Sequence, residues 1–434
     1  MTPQHTQKKP TLIVVHDREG TPPSQVALPL GWAECVFVIP AADASHGIAS
    51  ILAAFGEVVE MDLDAVEETA ERLRTYGPDG IITYSEQLQR VTAHLAELLE
   101  LRYHTRQMAE LLTDKWQQRA ALREAGVDSV RTALIHTEAD WAAAAAHVGF
   151  PAVLKPVHGV ASGNTFHVPD EATGLGHLRS VLALDRPGLI QGGGLVLEEY
   201  LVGRPTEPFG DYVSVEIAVV DGDLTTVGVT GKPPLVPPFR ETGRFWPSPF
   251  GRAEDEEFTA LARSAVAALG IRTGITHTEL KVTPQGPRLI EVNGRLGGGI
   301  QELSLSAMDL DLTGYAARIA LGETAPPRLV PVEGVHFQLI LLAPQRSCEV
   351  VAIEGAKEVR ALDGVSNCRF YVRPGQTLDG GVATKAVGVV GGVVPDHDAY
   401  IALVERINSL MRLGFAFEGE PQPRFVNGAE LSSL

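Results

Sequence analysis

Two glutamates on either side of a turn carry the strongest chemical signal in this chain. Within residues 276–299, Pro284-Gln285-Gly286 reads as a turn between two alternating strands. A three-residue loop centred on Gln285 places Glu279 opposite Glu291 and His277 opposite Asn293. Period two then puts His277, Glu279, Lys281, Leu289, Glu291 and Asn293 on one face. Thr278, Leu280, Val282, Ile290 and Val292 fall on the apolar other face. Carboxylates directly opposite, with Cβ atoms about 4.5–5.5 Å apart, destabilise a sheet unless something positive compensates. Two compensations are open. Lys281 or Arg295 can form salt bridges on a solvated face, or a divalent cation can bind, because Glu, Glu and Asn offer only hard oxygen donors. Such a set suits Mg²⁺ when substrate phosphates complete its coordination. Arg295, two residues beyond Asn293, is placed to stabilise a phosphoryl group in transfer. Gly297-Gly298-Gly299 either turns its N–H groups onto an anion or is a plain flexible turn.

Further candidates lie upstream. Lys155 ends a strand just before Pro156, and Lys115 stands in the first turn of a helix expected over 113–126. There Thr113 is the expected cap, Asp114 suits the positive helix end, and Gly126 is the stop. Either lysine alone reads as a surface residue. Ser162-Gly163-Asn164, inside the small-residue loop 159–166, is suited to close over phosphates with N–H groups and a hydroxyl. No GxxxxGK[ST] occurs, which disfavours P-loop chemistry, and no GxGxxG follows the first strand. Glu198-Glu199-Tyr200-Leu201 closes a strand over 194–201, and its plain reading is an exposed strand end.

These groups need a scaffold. At 434 residues the chain has room for about three domains. Residues 11–105 alternate short apolar runs (12–15, 35–39, 58–61, 81–83) with amphipathic stretches (64–76, 86–101), the pattern of an α/β layer with a parallel sheet. Residues 211–230 read as two strands joined at Asp221-Gly222-Asp223, and 255–270 as an amphipathic helix stopped by Gly270. Residues 231–250, rich in proline and aromatics and without periodicity, read as a long loop. In that loop Phe239, Arg240, Phe245 and Trp246 either shape an acceptor site or simply pack. A run of strands from about 331 and a helix over 396–413 suggest a separate α+β C-terminal unit.

Composition narrows the function. With 36 basic against 54 acidic side chains the formal charge is −18, which disfavours general nucleic-acid binding. Cys35, Cys348 and Cys368 are far apart and form no CxxC, so no disulfide framework or zinc site is readable. The N-terminus is polar and no apolar run is long enough for a membrane span. A cytoplasmic protein with no membrane partner is the expectation.

In order along the chain, Asp114-Lys115 with Arg119, Leu154-Lys155-Pro156, the Ser162-Gly163 loop, Glu198-Glu199-Tyr200-Leu201, Ser214-Val215-Glu216, His277-Thr278-Glu279 and Glu291-Val292-Asn293-Gly294-Arg295 resemble the ATP-grasp superfamily of carboxylate–amine ligases. The Ser-Val-Glu and Thr-His-Thr-Glu segments and the C-terminal unit are most similar to its L-amino-acid ligase branch. The resemblance implies an α/β fold, α+β in its C-terminal part. A Rossmann-like domain (1–112) would precede an ATP-grasp domain (113–325; small lid about 113–194, large catalytic part about 195–325) and a C-terminal domain (326–434).

Carried over by position, Lys115 and Lys155 would contact ATP phosphates, and Ser162 and Gly163 would belong to the loop covering them. Glu198, Glu199 and Leu201 would form the adenine hinge, and Glu207 would take the ribose hydroxyls. Glu279, Glu291 and Asn293 would hold two Mg²⁺ ions, with Mn²⁺ able to substitute, and Arg295 would be catalytic. Glu216, His277, Gly298 and Gly299 would contact substrate. Ile217 stands where many relatives have glycine, which points to a reshaped pocket.

The implied reaction activates an amino acid carboxylate as an acylphosphate and joins it to the amine of an amino acid or peptide, releasing ADP and phosphate. Relatives are often homodimers. Three alternatives stay open: a ligase acting on a non-amino-acid carboxylate, a catalytically silent ATP-binding regulator, and an adenylating ligase that releases AMP.

Overall fold

The computed structural model describes residues 8–18, 20–44, 47–183 and 193–434. The stretch 184–192 of the expected lid and residues 1–7 of the polar N-terminus lie outside it. Strands are numbered in chain order, and helices where they reach eight residues.

The first layer is a parallel sheet, ordered β3-β2-β1-β4, built from β1 (Thr11–Val15), β2 (Glu34–Pro40), β3 (Gly56–Met61) and β4 (Gly80–Thr83). Period two, with both faces covered, explains why β1 is buried throughout and apolar from Leu12 to Val15. Ile13 and Val15 pack with α1 (Val66–Arg74) and α2 (Gln89–Leu99), while Leu12 and Val14 enter a second core on the opposite face. That second core also holds Leu312, Tyr315 and Ile319 of a later helix and Trp246, so the parallel layer is fastened to the following part of the chain by shared apolar burial.

Two short helices follow, α3 (Arg106–Thr113) and α4 (Lys115–Glu124). Thr113 closes α3, and the cap of α4 is Asp114, whose carboxylate accepts from Gln117 N–H at 2.8 Å. The expectation that Thr113 caps is therefore corrected: its hydroxyl is used by the carbonyl of Ala109, and the shorter Asp side chain reaches the free N–H groups.

A small antiparallel sheet in the region expected to be the lid, ordered β5-β8-β6-β7, comprises β5 (Thr132–Ile135), β6 (Ala152–Pro156), β7 (Phe166–Val168) and β8 (Leu195–Glu199). It is backed by α5 (Trp141–Val148) and α6 (Glu171–Leu182).

The central sheet has eight strands, ordered β13-β12-β9-β10-β11-β14-β18-β16. β9 (Tyr212–Val220) and β10 (Asp223–Gly231) turn at Asp221 and Gly222, both with positive φ, the hairpin the Asp-Gly pair announces. β11 (Gly243–Trp246) lies inside the stretch read as a loop; it is only four residues long and flanked by prolines, which hid it. α7 (Arg252–Leu269) covers the apolar face of β9, β12 (Thr273–Thr283) and β13 (Gly286–Asn293) through Phe258, Ala262, Ala265, Val266 and Leu269. α8 (Ile300–Met308) and α9 (Leu312–Ala320) follow the hairpin.

The C-terminal unit supplies β14 (Val335–Leu342), β15 (Cys348–Glu354), β16 (Val365–Phe370), β17 (Thr377–Leu378), β18 (Ala386–Val394), α10 (His397–Leu410), β19 (Arg412–Phe417) and β20 (Arg424–Asn427). It has its own apolar core and a second sheet, β17-β15-β19-β20. Its separateness is nevertheless limited, because β11 pairs with β14 and carries the central sheet across the expected boundary at 325. No helix among the described residues is long and apolar enough to cross a membrane.

Candidate active site

The β12–β13 hairpin brings Glu279 directly opposite Glu291 and His277 opposite Asn293. The turn itself differs from expectation. It has two residues, Pro284 and Gln285, so the pairs nearest the turn run from Thr283 with Gly286 to Leu280 with Leu289. A β-bulge at Ile290 then adds one residue and restores the pairing of the glutamates. The bulge also exchanges two faces: Leu289 is buried in the core under α7, and Ile290 lines the cavity.

Helix α4 grips the bulge. Arg119 donates to the carbonyls of Leu289 (2.9 Å) and Ile290 (2.6 Å), and Gln118 exchanges two 2.9 Å bonds with the backbone of Val292. The ladder groups loosened by the extra residue are thus satisfied from the helix that also carries Lys115.

A cavity of about 570 Å³ opens above the hairpin, walled by the parallel layer, the lid, the central sheet and the C-terminal unit. Lys115, Lys155, Ser162, Gly163, Glu198, Glu199, Leu201, His277, Glu279, Glu291, Asn293, Arg295, Gly298 and Gly299 all line it. Two expected residues do not. Glu207 is exposed, in the segment between β8 and β9. Glu216 is fully buried behind His277, its Oε1 2.8 Å from Nδ1, and reaches the cavity only through that ring.

The charges interlock. Lys115 Nζ lies 3.3 Å from Glu291 Oε1 and donates to the Gly159 carbonyl at 3.0 Å. His277 Nε2 lies 3.3 Å from Glu279 Oε1. These two cations, rather than Lys281 or Arg295, flank the facing carboxylates: Lys281 pairs with Asp211 at 2.7 Å and Arg295 with Glu86 at 2.8 Å. Burial opposes a charge on His277, but Glu216 and Glu279 overcome it and raise its pKa to about 9. Burial likewise opposes ionisation of Glu279, yet its contacts with His277 bring it down to about 2.

In the lid, Glu198 is buried against Lys155 and Arg119. Burial alone would raise its pKa; the two cations bring it to about 2. Its carboxylate is therefore engaged with cations. Next to it, the Glu199 N–H is taken by the Arg131 carbonyl at 2.9 Å.

The Ser162-Gly163 loop is docked on the C-terminal unit. Asn164 N–H donates to the Val382 carbonyl at 3.1 Å, and Thr384 N–H to the Ala161 carbonyl at 3.0 Å. Ala161, Ser162 and Asn164 all have positive φ, which tightens this loop into a curl over the cavity.

Several lining residues escaped the sequence reading. Asp17, Ser85 and Glu86 sit just past the C-terminal ends of parallel strands β1 and β4, the edge where open α/β sheets place ligands. That positional rule was the available signal. Lys232, Glu241 and Arg244 all come from the stretch 231–250, where no motif marks them.

Glu279, Glu291 and Asn293 offer oxygen donors only, from two directly paired carboxylates and an amide, beside the His277 ring, and they face a cavity lined by four lysines and three arginines, Lys115, Lys155 and Arg295 among them. That set fits Mg²⁺ with a polyphosphate. It would suit neither a thiolate site nor a haem.

The fold and this site define a class: the chain has the ATP-grasp fold, and within that class its sequence is similar to the L-amino-acid ligase branch. No family model matches the chain. It is 29% identical over 246 residues to the alanine–anticapsin ligase of Bacillus subtilis (strain 168), which covers 54% of this chain and 52% of that protein. The chain thus spans about half the length of the curated relatives it matches. The crystal structure of L-amino acid ligase from Bacillus licheniformis superposes with a TM-score of 0.77 at 21% identity, covering 94% of this chain and 99% of that one. A biotin carboxylase domain of 2-oxoglutarate carboxylase from Hydrogenobacter thermophilus, crystallised with MgADP, ADP and bicarbonate, superposes with a TM-score of 0.67 at 16% identity, covering 94% and 92%.

Proposed function

We propose that this protein is an ATP-dependent ligase that joins an amino acid carboxylate to the amine of an amino acid or peptide and releases ADP and phosphate. The observation that carries the reading is the convergence of Lys115, Lys155 and Arg295 with the paired Glu279 and Glu291 on one cavity closed by the Ser162-Gly163 loop.

A carboxylate does not react with an amine at neutral pH, and phosphorylation by ATP gives it a leaving group. In this reading Lys115 and Lys155 hold phosphate oxygens, and Ser162 and Gly163 cover them with a hydroxyl and N–H groups. The adenine lies by the strand end at Glu199 and Leu201. Glu279, Glu291 and Asn293 would hold Mg²⁺, which when bound neutralises phosphate charge. Arg295, oriented by Glu86, stabilises charge as the carboxylate oxygen attacks the γ-phosphorus and again as the amine attacks the acyl carbon and phosphate leaves. His277 and the Gly298-Gly299 backbone orient substrate. The docked loop keeps water from the acylphosphate.

The test is ATP turnover by the full chain with Mg²⁺ and a mixed pool of L-amino acids and small peptides, with products identified by mass. ADP, phosphate and new amides are expected. AMP with pyrophosphate, or tight ATP binding without turnover on any pool member, overturns the proposal.

A further inference from the structure

The loop that curls over the cavity is supported from the C-terminal unit. Ala161, Ser162 and Asn164 have φ between +52° and +56°, a region unfavourable for residues that carry a Cβ. Two turn bonds inside the loop favour the curl, Gly163 N–H to the Val160 carbonyl and Thr165 N–H to the Ser162 carbonyl. Further support comes from the segment 379–385, through the backbone bonds of Asn164 with Val382 and of Thr384 with Ala161. Among the described residues no apolar cluster includes both the loop and this segment. The junction is made of polar contacts and can part without opening a core.

The segment itself is firmly rooted. Gly380 lies so close to the backbone of Gln345 and Ser347 that a Cβ would sit 2.5 Å from the Gln345 carbonyl oxygen. Gly381, with φ +139°, donates to that carbonyl at 2.8 Å, and the Lys385 carbonyl accepts from Ala343 N–H at 2.8 Å. Between these roots, residues 382–384 reach across to the loop as a strap.

Thr384 has a second partner. Its Oγ1 accepts the Glu241 N–H at 3.0 Å. One oxygen of Glu241 holds Lys232 Nζ at 2.7 Å, and the other holds Arg244 Nη2 at 3.3 Å. Arg244 Nη1 in turn donates to the Gly298 carbonyl, just past the catalytic hairpin. Arg240, beside Glu241, fixes this stretch by donating to the carbonyls of Ala343 and Ser432. A continuous line of bonds therefore runs from the loop over the phosphates to Gly298, through Thr384, Glu241 and Arg244.

Resting on the ligase reading, we propose that the strap 379–385 is the latch of the Ser162-Gly163 loop and that Thr384 is its positioning residue. While the strap is engaged the loop keeps its unfavourable curl and nucleotide stays bound. Parting of the two backbone bonds lets the loop relax and ADP leave. Because Thr384 also holds Glu241, the arrangement of Lys232, Arg244 and Gly298 on the cavity wall biases the latch.

Hydrogen exchange of the full chain, read by mass in peptides covering 159–166 and 379–385, tests the latch with Mg-ADP as ligand. Both segments should slow together, by at least about fivefold. Slowing of 159–166 alone, or of neither while ADP binds, overturns the proposal. Stopped-flow release of N-methylanthraniloyl-ADP tests Thr384. T384V, which lacks the acceptor for the Glu241 N–H, should release it at least about threefold faster, and T384S, which keeps the hydroxyl, should restore slow release. T384P, which also loses the N–H bonded to Ala161, should release it faster still and speed exchange in 159–166. Release from T384V or from folded T384P at the wild-type rate, or from T384S as fast as from T384V, overturns the role of Thr384. Should T384P not fold, wild-type exchange and the T384V and T384S rates decide. Failure of wild type to bind Mg-ADP is a different result, which removes the ligase reading and the latch with it. Binding without amide formation removes the ligase reading alone.

Discussion

Glu198 and Lys155 form a buried ion pair on adjacent antiparallel strands, Oε2 to Nζ at 2.8 Å. Arg119, itself tied to Asp128 and to the bulged strand, takes the other oxygen at 3.2 Å. One carboxylate thus links the lid to the helix that grips the catalytic hairpin. Replacing it with alanine strands the Lys155 ammonium, while Arg119 keeps Asp128 and the Leu289 and Ile290 carbonyls; removing one partner of a buried ion pair costs about 3–5 kcal/mol. E198A should show that drop in denaturant unfolding and bind ATP more weakly; stability within about 1 kcal/mol of wild type would contradict the role. The sign with pH follows from the lowered pKa: the stabilisation is present above pH 4.5 and is lost as pH falls through about 2.

His104 gives a second pH effect at milder acidity. It is buried beside the hairpin, its Nε2 3.4 Å from the Gly294 carbonyl, and burial lowers its pKa from 6.5 to about 4. The unfolded chain takes up a proton there below pH 6.5 that the folded protein refuses until about 4. Stability should therefore be full above pH 6.5 and fall between 6.5 and 4, by up to about 3 kcal/mol from this residue. H104N, which does not titrate, should flatten that part of the stability–pH curve. Parallel curves for the two proteins would refute the assignment.

Removing one of the facing carboxylates separates metal binding from folding. In E279Q the stabilisation that Mg²⁺ gives in a thermal melt should vanish, and ADP formation should fall by about two orders of magnitude or more. The melt in chelator should still be cooperative. A Mg²⁺-dependent shift equal to wild type would exclude Glu279 as a ligand.

Gln118 tests the grip on the bulge. Its amide exchanges two hydrogen bonds with Val292, and Q118A leaves a buried N–H and C=O unpaired, at about 1–3 kcal/mol each. Because Val292 lies between Glu291 and Asn293, the variant should also raise the Mg²⁺ concentration needed for half-maximal turnover. Unchanged stability would show that water replaces the amide at no cost.

The sequence made the catalytic hairpin legible because carboxylates at period two need a partner charge whatever the turn. The expected pairing of Glu279 with Glu291 nevertheless came from two compensating differences. The loop is one residue shorter than read, and Ile290 is one residue extra. Only Leu289 and Ile290 exposed the discrepancy, by exchanging faces, and no local pattern marks a bulge whose carbonyls are satisfied by a distant arginine. The parallel layer was readable from its apolar runs. Glu86, Glu241 and Arg244 were not, since they matter only through distant partners such as Arg295 and Gly298, and Glu216 was misplaced because burial behind His277 has no signature in strand alternation.

The eight-stranded sheet that runs from β13 to β16 makes the molecule indivisible at its most obvious cut. β11 registers with β10 at a single residue pair but with β14 at four, so this short strand leans on the C-terminal half for most of its ladder. A fragment ending at 325 would carry an unpaired sheet margin beside open cavity, with Gln338 and Ile340 gone from the wall. Such a fragment would be sticky rather than merely inactive, and engineers seeking a minimal catalyst should graft or trim at the outer sheet instead.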